Sequence, residues 1–155
     1  MGITVERMRE KAAQGLRPGD RFTVTRRFSE DDVAAFAELS KDFNPVHFDD
    51  RFAAAKGFSR PICHGLLVAS LLTEIGGQIA WLASGMSFRF LGPAYPGDDL
   101  HCTLVIESID HRGSARAVAD VITADNRRVL TAELFGRVPM DSERQLLGAM
   151  LQSPL

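Results

Sequence analysis

At 155 residues the chain is long enough to bury one sizeable core and too short for two ordinary domains, so a single domain with one principal site is expected. Hydrophobic residues make up 45% and charged residues 25%, with a mean hydropathy of −0.03, which excludes a disordered or fibrous chain. A formal net charge of −2 and a pI near 6.1 supply no field that would attract polyanions, so nucleic acid is not an expected partner.

The first twenty residues carry Glu, Arg and Lys throughout and lack the apolar run of a secretory signal; they are read as an N-terminal extension, residues 1–20, of a cytoplasmic protein. From Arg21 to Phe28, β-branched and aromatic residues alternate roughly, as in a strand. Ser29 then caps a helix whose third residue is Asp32 and whose apolar residues Val33, Phe36, Ala37 and Leu39 recur at helical spacing to Ser40. Lys41 to Arg60 is polar and irregular, with a brief helical piece over Arg51 to Lys56 and a stop at Gly57.

After Pro61 a long helix is expected over about Gly65 to Ala83, apolar around so much of its circumference that other elements must wrap it. Thr73, Glu74, Gly76, Gly77 and Gln78 make this segment too polar to span a membrane. Strand-like alternation then covers Gly85 to Leu91, Asp99 to His111, Ser114 to Thr123 and Arg128 to Val138, with turns at Pro96-Gly97, Arg112-Gly113 and Asp125-Asn126. This order predicts an α+β domain over residues 21–139, in which a strand and a four-stranded meander form a curved antiparallel sheet around a central helix. Residues 140–155 form a tail, helical from Asp141 to Leu151. Cys63 and Cys102 lie in different elements without ligand-like spacing and are expected to be reduced thiols packed as small apolar groups.

Two short segments carry chemistry. Ser40-Lys41-Asp42-Phe43-Asn44-Pro45-Val46-His47-Phe48-Asp49 places a carboxylate, an amide and an imidazole within six positions. On a helix, Asp42 and His47 would stand about 140° apart, and Pro45 excludes a helix there in any case; the chain must turn, and a turn brings both side chains to one point. A carboxylate and an imidazole sharing one water can deprotonate it and return a proton elsewhere, as the hydration of an activated alkene requires. The same residues also suit plain turn-building, with Asp42 as a cap, Asn44 bonded to its own backbone and His47 on the surface.

The second segment is Arg60-Pro61-Ile62-Cys63-His64-Gly65, just before the apolar helix. A helix N-terminus offers free N–H groups, and Gly65 there lets a ligand approach the backbone, so its N–H suits a thioester oxygen that gains charge. Gly65 equally suits relief of crowding where helix meets sheet. Asp42, His47, Asp49, Asp50 and His64 lack the i, i+4 or Cys/His spacing of metal sites, so no metal or other cofactor is expected. Arg51, Lys56, Arg60 and Arg89 are candidates for the phosphates of a carrier group.

Taken in order, S-x-D-x-N-P-x-H-x-D, an Ala-rich piece with Phe52, R-P-I-x-H-G, the apolar helix and Phe90-Leu91-Gly92-Pro93-Ala94-Tyr95-Pro96-Gly97-Asp98 resemble the MaoC-like, or hydratase 2, group of R-specific enoyl-CoA hydratases. The resemblance runs from about Arg21 to Pro139. It implies a hot-dog fold, a homodimer, and reversible hydration of trans-2-enoyl-CoA or enoyl-carrier thioesters to (R)-3-hydroxyacyl thioesters. It further implies Asp42 and His47 as the catalytic pair, Asn44 as a supporting amide, the Gly65 N–H as oxyanion donor and Thr73 as a hydroxyl facing the site. Pro45, His64 and Arg60, from the same two motifs, are assigned to substrate binding. Lys41 stands where many members have Gly, and Asp50 where many have Pro. An acyl-CoA thioesterase remains an alternative, because hot-dog domains also hydrolyse acyl thioesters and fold does not settle function, and so does a non-catalytic acyl-thioester-binding subunit, suggested by Lys41 and by the small size of the domain.

Overall fold

The computed structural model describes residues 2–153. Five antiparallel strands, β1 (Arg21–Arg27), β2 (Leu82–Phe90), β3 (Asp99–Ile109), β4 (Ser114–Thr123) and β5 (Arg128–Arg137), form one sheet in the order β1-β3-β4-β5-β2. The helices are α1 (Val5–Gln14), α2 (Glu30–Ser40), α3 (Asp50–Ala55), α4 (Gly65–Gln78) and α5 (Asp141–Gln152), with a 3₁₀ turn at Pro45–His47. The α+β class is as expected, but the meander is not: β2 pairs with β5 and β3 pairs with β1, so β2 and β3 lie at different places in the sheet. The Gly92–Asp98 loop, too long and too rich in Pro for a hairpin, carries the chain between them.

Strand alternation decides which face is dry. Leu100, Cys102, Leu104 and Ile106 of β3, Ala117, Ala119 and Val121 of β4, and Leu130, Ala132 and Leu134 of β5 are buried, whereas the residues that alternate with them face outward. Against that face packs α4, whose Leu67, Val68, Ala69, Leu71, Leu72 and Ile75 are buried in the same core cluster. Helix α4 ends earlier than its apolar run suggests. Ala80 adopts a left-handed conformation (φ 54°), and the Trp81 N–H returns to the Gly76 carbonyl at 2.8 Å, closing a Schellman-type cap. Leu82 and Ala83, expected in the helix, open β2 instead.

Helix α2 starts where its sequence indicates: Ser29 Oγ accepts from the Asp32 N–H and Asp32 Oδ2 accepts from the Ser29 N–H, a complete capping box. The segment read as an extension is part of the core. Helix α1 buries Met8 and Ala12 completely, contacts α4 and α5, and sends Arg9 onto the carbonyls of Gln78 (2.7 Å) and Gly77 (2.9 Å) at the C-terminal end of α4. A cation there satisfies orphan carbonyls and complements the helix dipole.

Candidate active site

Ser40, Asp42 and Asn44 each use a side chain to hold backbone two to four positions away. Ser40 Oγ donates to the Phe36 carbonyl (2.7 Å) and accepts from the Asp42 N–H (3.2 Å); Asp42 Oδ1 accepts from the Asn44 N–H (3.1 Å); Asn44 Oδ1 accepts from the Val46 N–H (3.1 Å) and so opens the 3₁₀ turn. Lys41 ends α2 in the left-handed region (φ 64°, ψ 20°), where glycine is the easiest residue to place. The consequence for Asp42 is a division of labour. Oδ1 is engaged locally, and Oδ2 faces His47 Nε2 at 3.7 Å.

That separation is too long for a direct hydrogen bond. It suits two acceptors with a water between them, provided Nε2 carries a lone pair. His47 Nδ1 lies 2.8 Å from the Ile62 carbonyl, which only accepts, so the ring proton sits on Nδ1 and Nε2 is the free base. Burial lowers the His47 pKa below its ordinary 6.5, the Ile62 hydrogen bond raises it in part, nearby His64 lowers it and Asp42 raises it. The imidazole is therefore uncharged at neutral pH. Its side chain is 8% exposed against 48% for Asp42.

The Ile62–Gly65 segment forms the opposite wall. The Ile62 N–H donates to the Val46 carbonyl (3.2 Å), and the Cys63 N–H donates to the Ala94 carbonyl (2.8 Å) in the loop before β3. That loop is held by Arg127, which reaches the Pro93 carbonyl and Asp98 Oδ2, both at 3.0 Å. Gly65 opens α4, and its N–H is one of the four that have no intrahelical acceptor. A Cβ at Gly65 would lie 2.7 Å from the Phe90 ring, so a larger residue there displaces that half-exposed ring. A cavity of about 470 Å³ is lined by Phe36, Asp42, His64, Gly65, Leu66 and Phe90, among others; a second, of about 340 Å³, is lined by His47, Phe48, Arg60 and Pro96. The carboxylate and the imidazole thus border different openings.

Not every expected site residue joins this arrangement. Thr73 lines a separate cavity of about 160 Å³ with Leu72, Gly76, Trp81 and Met86, and its hydroxyl donates to the Ser70 carbonyl at 2.6 Å. Pro45 and Asn44 build the turn and line neither opening. Arg60 does border the His47 opening, with its guanidinium 4.7 Å from the Tyr95 ring centroid and Nη1 on the Pro96 carbonyl. Arg89 sits on the outer face of the sheet with Arg21 and Arg128, Lys56 lies over Phe52, and Arg51 pairs with Asp49. Asp49 itself caps α3, and its bonds to Arg51 and Phe52 hold its carboxyl well below the usual range.

His64 is 1% exposed, gives Nε2 to the Asp42 carbonyl at 2.9 Å and stacks on His47 with centroids 3.8 Å apart. Ligand atoms of Asp42, His47 and His64 lie within 4.8 Å of one another, close enough for a metal ion. Rings stacked at an interplanar angle of 27° point their in-plane lone pairs side by side, which is a packing geometry and a poor chelating one. Burial pushes the Cys63 and Cys102 thiols up to about 12, so both pack as small apolar groups. One contributor had no signal of its own in the sequence, the Ile62 carbonyl that orients His47; Phe90 stood in a quoted motif, but nothing in the motif put its ring over Gly65.

Comparison with known proteins places the chain in a family. The MaoC like domain family matches residues 10–126. The (R)-specific enoyl-CoA hydratase of Aeromonas caviae is 33% identical over 83% of this chain and 99% of its own length. The 3-hydroxybutyryl-CoA dehydratase of Methylorubrum extorquens is 31% identical over 77% of this chain and 79% of its own. Among solved structures, the A. caviae (R)-hydratase superposes with a TM-score of 0.75 at 34% identity, covering 81% of this chain and 99% of that one. The unliganded R-hydratase of Pseudomonas aeruginosa gives 0.75 at 27%, covering 83% and 86%. With the family matched over most of its length and the hot-dog arrangement of its sheet and helices shared with these structures, the chain belongs to the MaoC-like domain family.

Proposed function

We propose that the protein is a hydro-lyase that adds water reversibly across the C2=C3 double bond of trans-2-enoyl thioesters to give (R)-3-hydroxyacyl thioesters, with Asp42 and His47 as its acid/base pair. The observation that carries this reading is the 3.7 Å gap between two acceptors, Asp42 Oδ2 and His47 Nε2, with Gly65 at the start of α4 lining the same cavity as Asp42. A water in that gap donates to both. One of the two groups takes its proton as oxygen attacks C3, and the pair returns a proton to C2, so hydroxyl and hydrogen are added with no net change in charge. The carbonyl oxygen gains charge as the C2=C3 electrons move toward it, and the Gly65 N–H with the positive end of α4 stabilises it there.

The apolar lining of the larger cavity suits an acyl chain, and Arg60 at the other opening suits the phosphates of a CoA or carrier thioester. A thioesterase that used a thiol nucleophile would need a reactive cysteine, and Cys63 is buried with its pKa pushed up to about 12. We assign the protein a homodimeric state because β2 is an edge strand that exposes Leu82, Met86 and Phe90. No helix among the described residues is long and apolar enough to cross a membrane; a cytoplasmic location belongs to the same proposal.

Crotonyl-CoA tests it. Loss of the conjugated thioester absorbance with accumulation of (R)-3-hydroxybutyryl-CoA is expected. Release of free thiol from saturated acyl-CoA without hydration would replace this reading with a thioesterase.

A further inference from the structure

We propose that His64 is a positioning residue: its imidazole ties the Asp42 backbone, the face of the His47 ring and the start of α4 into one unit and so fixes the gap that holds the reacting water. This rests on the hydratase reading above. Three contacts carry it, and they converge on a single side chain. His64 Nε2 lies 2.9 Å from the Asp42 carbonyl, so that nitrogen carries a proton and donates. The ring stacks on His47 at 3.8 Å, with Phe36 tilted against it at 4.9 Å and Phe48 at 6.2 Å. Its backbone occupies the N-cap position of α4, immediately before Gly65.

Helix-capping does not explain this imidazole. N-cap side chains are ordinarily Ser, Thr, Asp or Asn bonded to the second or third N–H of their own helix. His64 makes no such bond and reaches 22 residues back along the chain. Packing does not explain it either. The ring is 1% exposed and its Nδ1 is buried without a hydrogen-bond partner among the described residues, a cost that an apolar side chain of similar shape avoids. What the imidazole supplies and a phenyl ring lacks is a donor aimed at Asp42.

That donor acts where the bend is least restrained by tertiary structure. Lys41 is in the left-handed region and Asp42 is half-exposed, so the local bonds of the bend set its shape but not its distance from His47. His64 fixes that distance by touching both partners at once. Because His64 and Gly65 are adjacent, it also fixes where the donor for the thioester carbonyl stands relative to that water.

Two substitutions separate the donor from the ring. His64→Phe keeps a stackable ring and loses the hydrogen bond; His64→Gln keeps an N–H that reaches the same carbonyl and loses the ring. With crotonyl-CoA, H64F is expected to lower kcat about 30-fold or more with KM within about threefold of the parent, and H64Q to recover kcat to within about fivefold. Independently of turnover, the ¹⁵N resonances of His47 are expected to show one ring environment in the parent and in H64Q, and a mixture in H64F.

Parent-like kcat in H64F would overturn the inference, as would a rise in KM at unchanged kcat, which makes His64 a binding residue. Equal loss of kcat in both variants with a parallel fall in Tm would make it structural only and also overturn it. Identical His47 resonances in all three proteins overturn it whether or not the protein hydrates anything. A parent inert toward enoyl thioesters, with His47 disturbed in H64F alone, removes the hydratase reading and leaves His64 as the residue that positions His47.

Discussion

The two stretches of chain that meet at the site, Ser40–Asp49 and Ile62–Gly65, are held in opposite ways. The first is tied by side chains that bond backbone groups two to four residues away, and it leaves Asp42 half-exposed. The second is tied by bonds that span 15 residues or more: His47 to Ile62, His64 to Asp42, and Cys63 to Ala94. In the proposed reaction the local stretch supplies the groups that change protonation, and the buried stretch supplies their aim. A reagent can be built by its neighbours in sequence, but its orientation depends on which distant carbonyl the fold brings within reach.

If that division is right, the largest effects come from removing the reagents while leaving the bend intact. Asp42→Asn keeps the Oδ1 acceptor for the Asn44 N–H and loses the charge; His47→Ala loses the base. Each is expected to lower kcat/KM for crotonyl-CoA by about 10²–10⁴-fold with Tm close to that of the parent. Parent-like hydration by either protein would show that the pair is not the acid/base couple.

Next comes the aim. Gly65→Ala puts a Cβ within 3 Å of three atoms of the half-exposed Phe90 ring, which lines the larger cavity and must shift to make room. A fall in kcat of about tenfold is expected, because the N–H stays while the space in front of it narrows. An unchanged rate would show that Phe90 moves away from the site and that the glycine is there for packing alone.

The same contrast explains what was legible in the sequence. The D-x-N-P-x-H bend could be read directly, because Pro45 forbids a helix and the side chains that shape it are its own. The strands could be read too, and apart from the start of β2 their ends fall within two residues of where alternation puts them. What could not be read depends on topology. The pairing of β2 with β5 and the early end of α4 at Ala80 leave no mark in an apolar run that continues to Leu82. Helix α1 does carry an apolar spacing, Val5, Met8 and Ala12, but the charges between them resemble a solvated tail. Thr73 lies at another cavity, and the sequence could not show that either: a hydroxyl on α4 has a carbonyl of its own helix within reach, and it uses it.

A smaller effect comes from pH. Burial keeps the folded His47 pKa below 6.5, so the free base persists as the pH falls to that value, and kcat/KM should decline by about tenfold per unit only at lower pH, once the ring takes up a proton. The unfolded chain binds that proton more tightly than the folded one. His47 therefore contributes nothing to the pH dependence of stability well above 6.5, and stability falls as the pH drops below it. An acid limb of kcat/KM centred above 6.5 would contradict a buried base and would mean that the His47 wall is wetter than its 8% exposure indicates.

The smallest effect tests whether the bend is as local as it looks. Lys41 holds φ 64° as the C-cap of α2, and a left-handed residue other than glycine costs about 1–2 kcal/mol. Glycine removes that cost but adds backbone freedom to the unfolded chain worth about 0.5–1 kcal/mol. The Lys41–Glu38 pair, with both side chains about three-quarters exposed, adds nothing measurable. Lys41→Gly should therefore raise stability by about 0.5–1 kcal/mol by urea denaturation and leave kcat within about twofold. If it instead lowered kcat by an order of magnitude at unchanged stability, Lys41 would be restraining Asp42 from the exposed side, and the bend would owe its aim to its own sequence as much as to the buried wall behind it.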